Sequence, residues 1–256
     1  MTVTTQFDYT PYAADYASRP DYVSEVITAT LAVAGVAPGD LVCDVGAGSA
    51  HLTIPLLENG LRVDAVEPTQ AMREVGEGRT QGMAGVQWFE GFGEATGRPG
   101  DTYPLVTFGS SFDRTDRPAA LRETARILKP GGWFACCWNH RDLEEPFQAR
   151  IEDLIKQHIP GYDYGTRRAD QTPAIEASGL FETPVVISGR MTRQVSSDVW
   201  CDAWSSHSTL GQQAGEKFDD VLAGIRGLVG AERRDHVDVP YVTKMWVARL
   251  RGRNAR

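Results

Sequence analysis

Apolar positions along the chain change period in a regular way. Between residues 21 and 34, Val23, Val26, Ile27 and Leu31 recur at helical spacing, and the run stops at Gly35 ahead of the turn Pro38-Gly39-Asp40. Residues 41–45, Leu-Val-Cys-Asp-Val, form a short apolar run closed by Gly46, the pattern of a parallel strand buried on both faces. The same reading predicts a helix over 50–58 halted by Asn59-Gly60, a strand over 62–66, a helix over 69–77, and strands over 86–89 and 105–108. A further helix is expected from about residue 116, with Pro118 in its first turn, where a missing N–H costs nothing, and Leu121, Ala125 and Leu128 on one face. Lys129-Pro130-Gly131-Gly132 is expected to end that helix, and a fifth strand to run over 133–138.

Beyond this strand the rhythm changes. A helix is predicted over 146–158, a loop over 160–165 and a helix over 172–178. Two longer alternating runs, 184–195 and 239–250, are expected to pair as antiparallel strands at the sheet edge, with helical segments near 197–207 and 214–229 between them. Strands alternating with helices of this length imply an α/β fold: a doubly wound, Rossmann-like, seven-stranded sheet, parallel with an antiparallel edge strand, plus a helical lid. The expected organisation is a single domain over 1–256, its core about 36–195 and 236–250, its lid drawn from 1–34 and from the insertion 196–230.

Composition narrows the choice of partner. With 256 residues, 41% hydrophobic and 23% charged, the chain has ordinary globular values. A net charge of −8 weighs against nucleic acid, whose phosphates call for a basic surface. Arginines 249, 251, 253 and 256 read as a frayed basic tail. No run approaches the roughly 20 apolar residues of a membrane span, and residues 1–6 lack the basic start and apolar run of a signal peptide. Cys43, Cys136, Cys137 and Cys201 show no metal spacing and read as reduced thiols. A cytoplasmic protein without metal or membrane, monomeric or a homodimer, is expected.

The chemistry concentrates in the loop after the first strand. Gly46 and Gly48 allow a tight turn and close approach of a ligand to the backbone, at the carboxyl ends of the strands where open α/β sheets bind. The third glycine of a dinucleotide fingerprint is replaced by His51, which would spoil close helix–strand packing. Asp44, just before the loop, can pair with a cationic amino group, which a pyrophosphate site would not want. Glu67, ending the second strand, is placed to accept both hydroxyls of a ribose. Met72 follows in the next helix, either covering an adenine face or packing the core.

At these residues a resemblance emerges. Val42-Cys-Asp-Val-Gly-Ala-Gly-Ser49, Val66-Glu-Pro-Thr-Gln-Ala-Met72, Gly91-Phe-Gly-Glu94 and Arg126-Ile-Leu-Lys-Pro-Gly-Gly132 resemble the successive motifs of class I S-adenosylmethionine-dependent methyltransferases of the type 11 group. The segment from Tyr12 to Tyr22 resembles the opening of a small-molecule subgroup that includes trans-aconitate methyltransferase-like enzymes. The resemblance spans roughly residues 7–138. It implies that Asp44 and the loop Gly46-Ala47-Gly48 hold the methionine moiety of S-adenosylmethionine, and that Glu67 with Pro68 holds the ribose. It further implies that Gly93 and Glu94 flank the adenine, and that Gly109 and Ser110 line the methionine end. Tyr16 and Arg19 would close over the cofactor, and S-adenosylhomocysteine would be the product.

Methyl transfer is an in-line displacement, so the protein chiefly holds the nucleophile in position, and a base is optional. Phe108-Gly-Ser-Ser stands where enzymes acting on flipped bases carry Asn/Asp-Pro-Pro-Tyr, which argues against nucleic-acid substrates. His140, two residues past the expected fifth strand, and His207, in the insertion, are the candidate proton acceptors; each could equally serve its own local backbone. Tyr12, Asp113, Arg114, Asn139 and Trp204 are the candidate contacts to the acceptor, with lid aromatics either enclosing it or packing the lid. The function expected is methyl transfer to an oxygen or nitrogen of a small-molecule metabolite. The alternative is a SAM-binding fold with another enzymatic or regulatory role.

Overall fold

The computed structural model describes residues 10, 13–16, 19–205, 207–232 and 235–252. Tyr12, a candidate substrate contact, lies outside the described residues. Seven strands form one sheet: β1 (Leu41–Val45), β2 (Arg62–Val66), β3 (Val86–Phe89), β4 (Tyr103–Gly109), β5 (Leu128–Arg141), β6 (Val185–Ser196) and β7 (His236–Arg249). Their order is β3-β2-β1-β4-β5-β7-β6. β1 pairs in parallel with β2 and β4, β2 with β3, and β4 with β5. The strand run reverses only at β7: Leu250 N donates to Gly132 O and Asp142 N to Pro240 O, so the partner falls in number as β5 rises. On its other side Phe181 bridges Leu250 and Ser197 N donates to Asp235 O, again antiparallel. The expected mixed sheet is present, with its antiparallel member set one place in from the edge.

Helices α1 (Ala13–Tyr16), α2 (Ser24–Ala34), α3 (Thr53–Glu58), α4 (Gln70–Arg79), α5 (Arg117–Ile127), α6 (Pro146–His158) and α7 (Thr172–Ala177) alternate with the strands. Helices α8 (Ser197–Ser205), α9 (Ser208–Ala214) and α10 (Phe218–Glu232) lie between β6 and β7. Local chemistry explains the starts: the Asp116 carboxylate accepts from Ala119 N (3.0 Å) and Glu145 from Gln148 N (2.8 Å), each ahead of a proline in the first turn.

Three of the boundaries that differ from the sequence expectation bear on the candidate residues. Helix α3 begins at Thr53, not at 50, because the glycine loop continues as turns and Ala50 itself takes φ +67°. Strand β5 begins at Leu128, five residues early. Tyr103 pairs with Leu128 and Leu105 with Trp133, so Lys129-Pro130-Gly131-Gly132 is an excursion within the ladder, not a stop. The same strand runs on to Arg141, so His140 lies in a strand and not in the loop expected for it.

The chain divides into two compact units. The first comprises Met1–Asn139, Ala169–Gly189 and Thr243–Arg256; the second comprises His140–Arg168 and Arg190–Val242. The core of the first joins Val45, Val66, Phe108, Phe112, Phe134, Trp138, Phe181 and Trp246, with three phenylalanine rings mutually packed at 5.2–5.6 Å. The second has its own core, in which Ile151 and Ile155 of α6 meet Trp200, Trp204, Val221 and Ile225 of α8 and α10.

Candidate cofactor site

The first unit gathers most of the candidate cofactor residues at the carboxyl ends of β1, β2 and β4. Asp44 is fully buried, and each carboxylate oxygen accepts one hydroxyl: Oδ2 from Thr53 at 2.7 Å and Oδ1 from Thr107 at 2.9 Å. Thr53 opens α3 and Thr107 is its register partner on β4. Burial pushes the Asp44 carboxyl up to about 6, against the pull of those two hydrogen bonds.

The loop beyond it is tied to β2 at three successive N–H groups. Gly46 and Ala47 donate to Val66 O (2.8 and 3.0 Å), and Gly48 donates to Glu67 Oε2 (2.9 Å). A dinucleotide loop must aim N–H groups at a pyrophosphate; these three are already committed, one of them to a carboxylate. Gly46 has φ +67°, and a Cβ there would stand 2.4 Å from the Cβ of Ser111. Ser111 in turn donates to Val45 O at 2.6 Å, locking the β4 end against the loop. At Gly48 the neighbour is the terminal methyl of Met72, 3.2 Å from the position a Cβ would take.

Glu67 is buried, and its other oxygen accepts from Thr69 N at 2.9 Å. Burial raises its pKa although these backbone donors oppose the shift. The Thr69 side chain also bonds this carboxylate, which still has lone-pair capacity to offer. Pro68 links it to α4. Gly109 and Ser110 close β4: a Cβ on Gly109 would lie 3.1 Å from the Tyr22 hydroxyl, and that hydroxyl meets Ser110 Oγ at 2.9 Å, with Ser110 at φ +56°. Gly93 stands where a Cβ would collide with Thr115 Cγ2 at 2.6 Å, close to Phe108, while Glu94 accepts from Asp116 N at 2.6 Å.

The segment before α2 is held onto this site. His51 presents Nδ1 to Asp21 Oδ1 (2.9 Å) and Nε2 to Tyr16 O (2.7 Å), and the Arg19 guanidinium stacks on the Tyr16 ring at 3.8 Å. Asn139 donates to Asp21 O at 2.9 Å and accepts from Thr243 Oγ1, which itself accepts from Val23 N. Its side chain therefore positions backbone. Asp113 is half-buried, accepting from Trp138 Nε1 at 3.1 Å and facing Arg114 Nε at 3.4 Å.

Three candidates lie in the second unit. His140 donates from Nε2 to Arg167 O at 3.0 Å, and burial, reinforced by the Arg168 charge, pushes its pKa down to about 3. His207 caps α9, its Nδ1 accepting from Leu210 N at 3.2 Å, with its ring 5.0 Å from Trp204. Trp204 is buried beneath the Arg141 guanidinium at 4.4 Å. Sequence reasoning missed Thr53, Thr107 and Ser111, and placed Tyr22 in the lid segment without its bond to Ser110. A hydroxyl-bearing residue at the start of the helix after the glycine loop was the available signal for Thr53.

Comparison with known proteins agrees with this geometry. Residues 42–132 match the family described as a methyltransferase domain, the stretch holding the glycine loop, Glu67 and β4. The match thus falls on the stretch that holds this geometry, and the fold around it is similar to that of solved methyltransferases. An uncharacterized methyltransferase of Mycobacterium tuberculosis (strain H37Rv) is 32% identical over 137 residues, 54% of each chain. The chain thus spans about half the length of the curated relatives it matches. Among solved structures, one described as a type II methyltransferase from Anaeromyxobacter dehalogenans superposes with TM-score 0.67 at 18% identity, covering 91% of this chain and 97% of that one. A phosphoethanolamine N-methyltransferase 2 of Haemonchus contortus, bound to phosphomonomethylethanolamine and S-adenosylhomocysteine, gives TM-score 0.56 at 14% identity over 97% of this chain and 60% of its own. Both likenesses concern the fold.

Proposed function

We propose that the protein is an S-adenosylmethionine-dependent methyltransferase acting on an oxygen or nitrogen of a small-molecule metabolite, in the manner of the trans-aconitate methyltransferase-like subgroup. The observation that carries this reading is Asp44: a fully buried carboxylate at the end of β1, held by two hydroxyls, beside a glycine loop whose N–H groups face inward. A buried carboxylate is costly unless a cation accompanies it, and an α-ammonium is the charge that would relieve it. The cofactor supplies an electrophilic methyl on a sulfonium.

In this reading the chain's residues bind and orient. Asp44 and the Gly46-Ala47-Gly48 loop hold the amino-acid end. Glu67 accepts the ribose hydroxyls on its remaining lone pairs while its backbone bonds keep it from swinging away. Met72 and Pro68 border the adenine with Gly93 and Glu94, and Gly109, Ser110, Tyr16 and Arg19 complete the surround. Neither His140, with its depressed pKa, nor His207, whose Nδ1 caps a helix, is poised as a free base. Positioning is therefore the main catalytic device. A cytoplasmic setting fits the four free cysteines; no helix among the described residues is long and apolar enough to cross a membrane.

Calorimetry with S-adenosylhomocysteine, followed by incubation of a metabolite extract with methyl-labelled donor, tests the reading. Binding together with label transferred to a small molecule is expected. Absence of binding would refute the cofactor assignment, and binding without transfer to any compound would refute the activity.

A further inference from the structure

The second unit contains a cluster that the methyl-donor site does not use. Arg141, only 8% exposed, donates from Nη1 to Gln148 Oε1 (3.0 Å) and from Nη2 to the Tyr164 hydroxyl (3.1 Å), with its guanidinium over Trp204. Arg168 lies over the Tyr164 ring at 4.2 Å, and its Nη2 donates to Arg141 O at 3.4 Å. Trp200 packs edge-on against Trp204 at 5.7 Å. One carboxylate, Glu152, answers this group. It accepts from Tyr164 at 2.6 Å and faces Arg141 at 3.6 Å and Lys156 at 3.3 Å.

Hydrogen-bonding capacity in the cluster leans toward donors. Besides the Tyr162 hydroxyl, which can also accept, four nitrogens are buried without a hydrogen-bond partner: Gln148 Nε2, Trp200 Nε1, Trp204 Nε1 and Arg168 Nε. Gln148 is fully buried, Trp204 is 2% exposed and Trp200 6%. All four atoms are donors, and indole and guanidinium nitrogens cannot accept. Unmet buried donors are costly, and native interiors rarely keep several together. A water could accept from two of these donors and give its own protons to Gln148 Oε1 or the Tyr162 hydroxyl, but it brings no charge to set against the guanidinium groups. What completes the cluster must bring lone pairs and, with two arginines and a lysine against Glu152, negative charge. The depressed basicity of nearby His140, to which Arg168 and Arg167 contribute after burial, reports the same positive potential.

We propose that this cluster is an oxyanion-binding site, in which Arg141 and Arg168 with Gln148 Nε2 and Trp204 Nε1 hold the carboxylate or phosphate of a small metabolite. The proposal goes beyond the methyl-transfer reading and stands independently of it. Phosphate and carboxylate share the needed chemistry: several acceptor oxygens with a charge that guanidinium groups match in geometry.

The test titrates the full chain with inorganic phosphate and, separately, with succinate, against sodium chloride at equal ionic strength, by calorimetry and thermal melting. Saturable binding of at least one oxyanion with a raised Tm is expected; which one binds distinguishes the phosphate from the carboxylate source. Gln148→Glu keeps an oxygen for Arg141 and replaces the unpaired N–H by a second carboxylate oxygen. It is expected to raise Tm without added anion and to weaken oxyanion binding by about 100-fold, while Trp204→Phe, which keeps the aromatic face, weakens it about tenfold. S-adenosylhomocysteine binding measured on the same variants reports independently that the chain is folded. No saturable binding of either oxyanion to the unmodified chain, or binding to both folded variants with unchanged affinity, would overturn the proposal.

Discussion

The two candidate sites, one in each unit, treat buried polarity in opposite ways. In the first, Asp44 and Glu67 are carboxylates held by hydroxyl and backbone donors, each with acceptor capacity to spare. In the second, Arg141 is a buried guanidinium set among N–H groups that lack acceptors. Burial is the leading cause of the shift at both titrating groups, raising Asp44 to about 6 and lowering His140 to about 3. The secondary causes part company: hydroxyl donors pull Asp44 back toward ionisation, whereas neighbouring arginines push His140 further from protonation. In the two proposals above, the first interior takes a cation with hydroxyls and the second an anion. Similar desolvation is thus paired with opposite secondary influences, set by which partners the sequence brings in.

Neutralising Asp44 should upset this contrast most. Asp44→Asn keeps the volume and an oxygen for one threonine but removes the charge. It is expected to weaken S-adenosylhomocysteine binding by about 100-fold, the scale of removing a charge-assisted hydrogen bond from a buried site, as measured by calorimetry. Folding should respond the other way. The native carboxyl holds its proton up to about 6 against 3.8 for an ordinary aspartate, so raising the pH between those values removes stability, by about 3 kcal/mol at most. Asp44→Asn should flatten that fall in urea titrations, so lost affinity with retained stability is the expected signature.

The second effect follows from the same shift. Only ionised Asp44 attracts an ammonium, so affinity for S-adenosylhomocysteine is expected to be flat above about pH 6 and to fall by up to tenfold per unit below it. Binding at pH 5 should release protons, seen as a dependence of the calorimetric heat on buffer ionisation enthalpy. Affinity independent of pH between 5 and 7 would remove Asp44 from the ligand's charge.

Periodicity and turn chemistry made the order of strands and helices readable, because β1, β2 and β3 are short apolar runs with glycine or proline close by. Lys129-Pro130-Gly131-Gly132 misled because its local propensity says stop, while pairing of Tyr103 with Leu128 carries the strand through. The donor loop was readable since Asp44, Gly46, Gly48 and Glu67 sit at the ends of adjacent strands. Their partners were not: Thr107 reaches Asp44 only because β1 and β4 are neighbours in the sheet. The N–H cluster of the second unit was hidden for the same reason, since Arg141, Gln148, Tyr164 and Trp204 come from a strand end, two helices and a loop that share no sequence period.

A smaller effect is expected at Glu67. Glu67→Gln keeps an acceptor oxygen but places an NH2 opposite either Gly48 N or Thr69 N, so one backbone donor loses its partner and one ribose hydrogen bond loses its charge. Affinity for S-adenosylhomocysteine should drop about tenfold, and adenosine, which has the ribose without the amino-acid end, should lose a similar factor. An adenosine affinity unchanged by the substitution would assign Glu67 to loop anchoring alone.

The weakest change is expected at His140, on the other side of the contrast between the units. Its Nε2 proton is spent on Arg167 O, and the native imidazole stays neutral down to about 3. An unfolded histidine takes a proton near 6.5, so below that pH the unfolded chain binds a proton that the native chain refuses. The stability His140 gives is complete above 6.5 and is lost as pH falls toward 3, at no more than about 1.4 kcal/mol per unit. His140→Gln keeps a donor for the carbonyl and has nothing to titrate. Between about pH 4 and 6.5, where Asp44 contributes the opposite slope over much of the range, the variant should lose stability less steeply on acidification than the parent. The difference between their urea midpoints should vanish above about pH 7 apart from a constant offset. Equal slopes for the two proteins would mean that His140 protonates freely in the native state, and would return it to the candidates for proton acceptor.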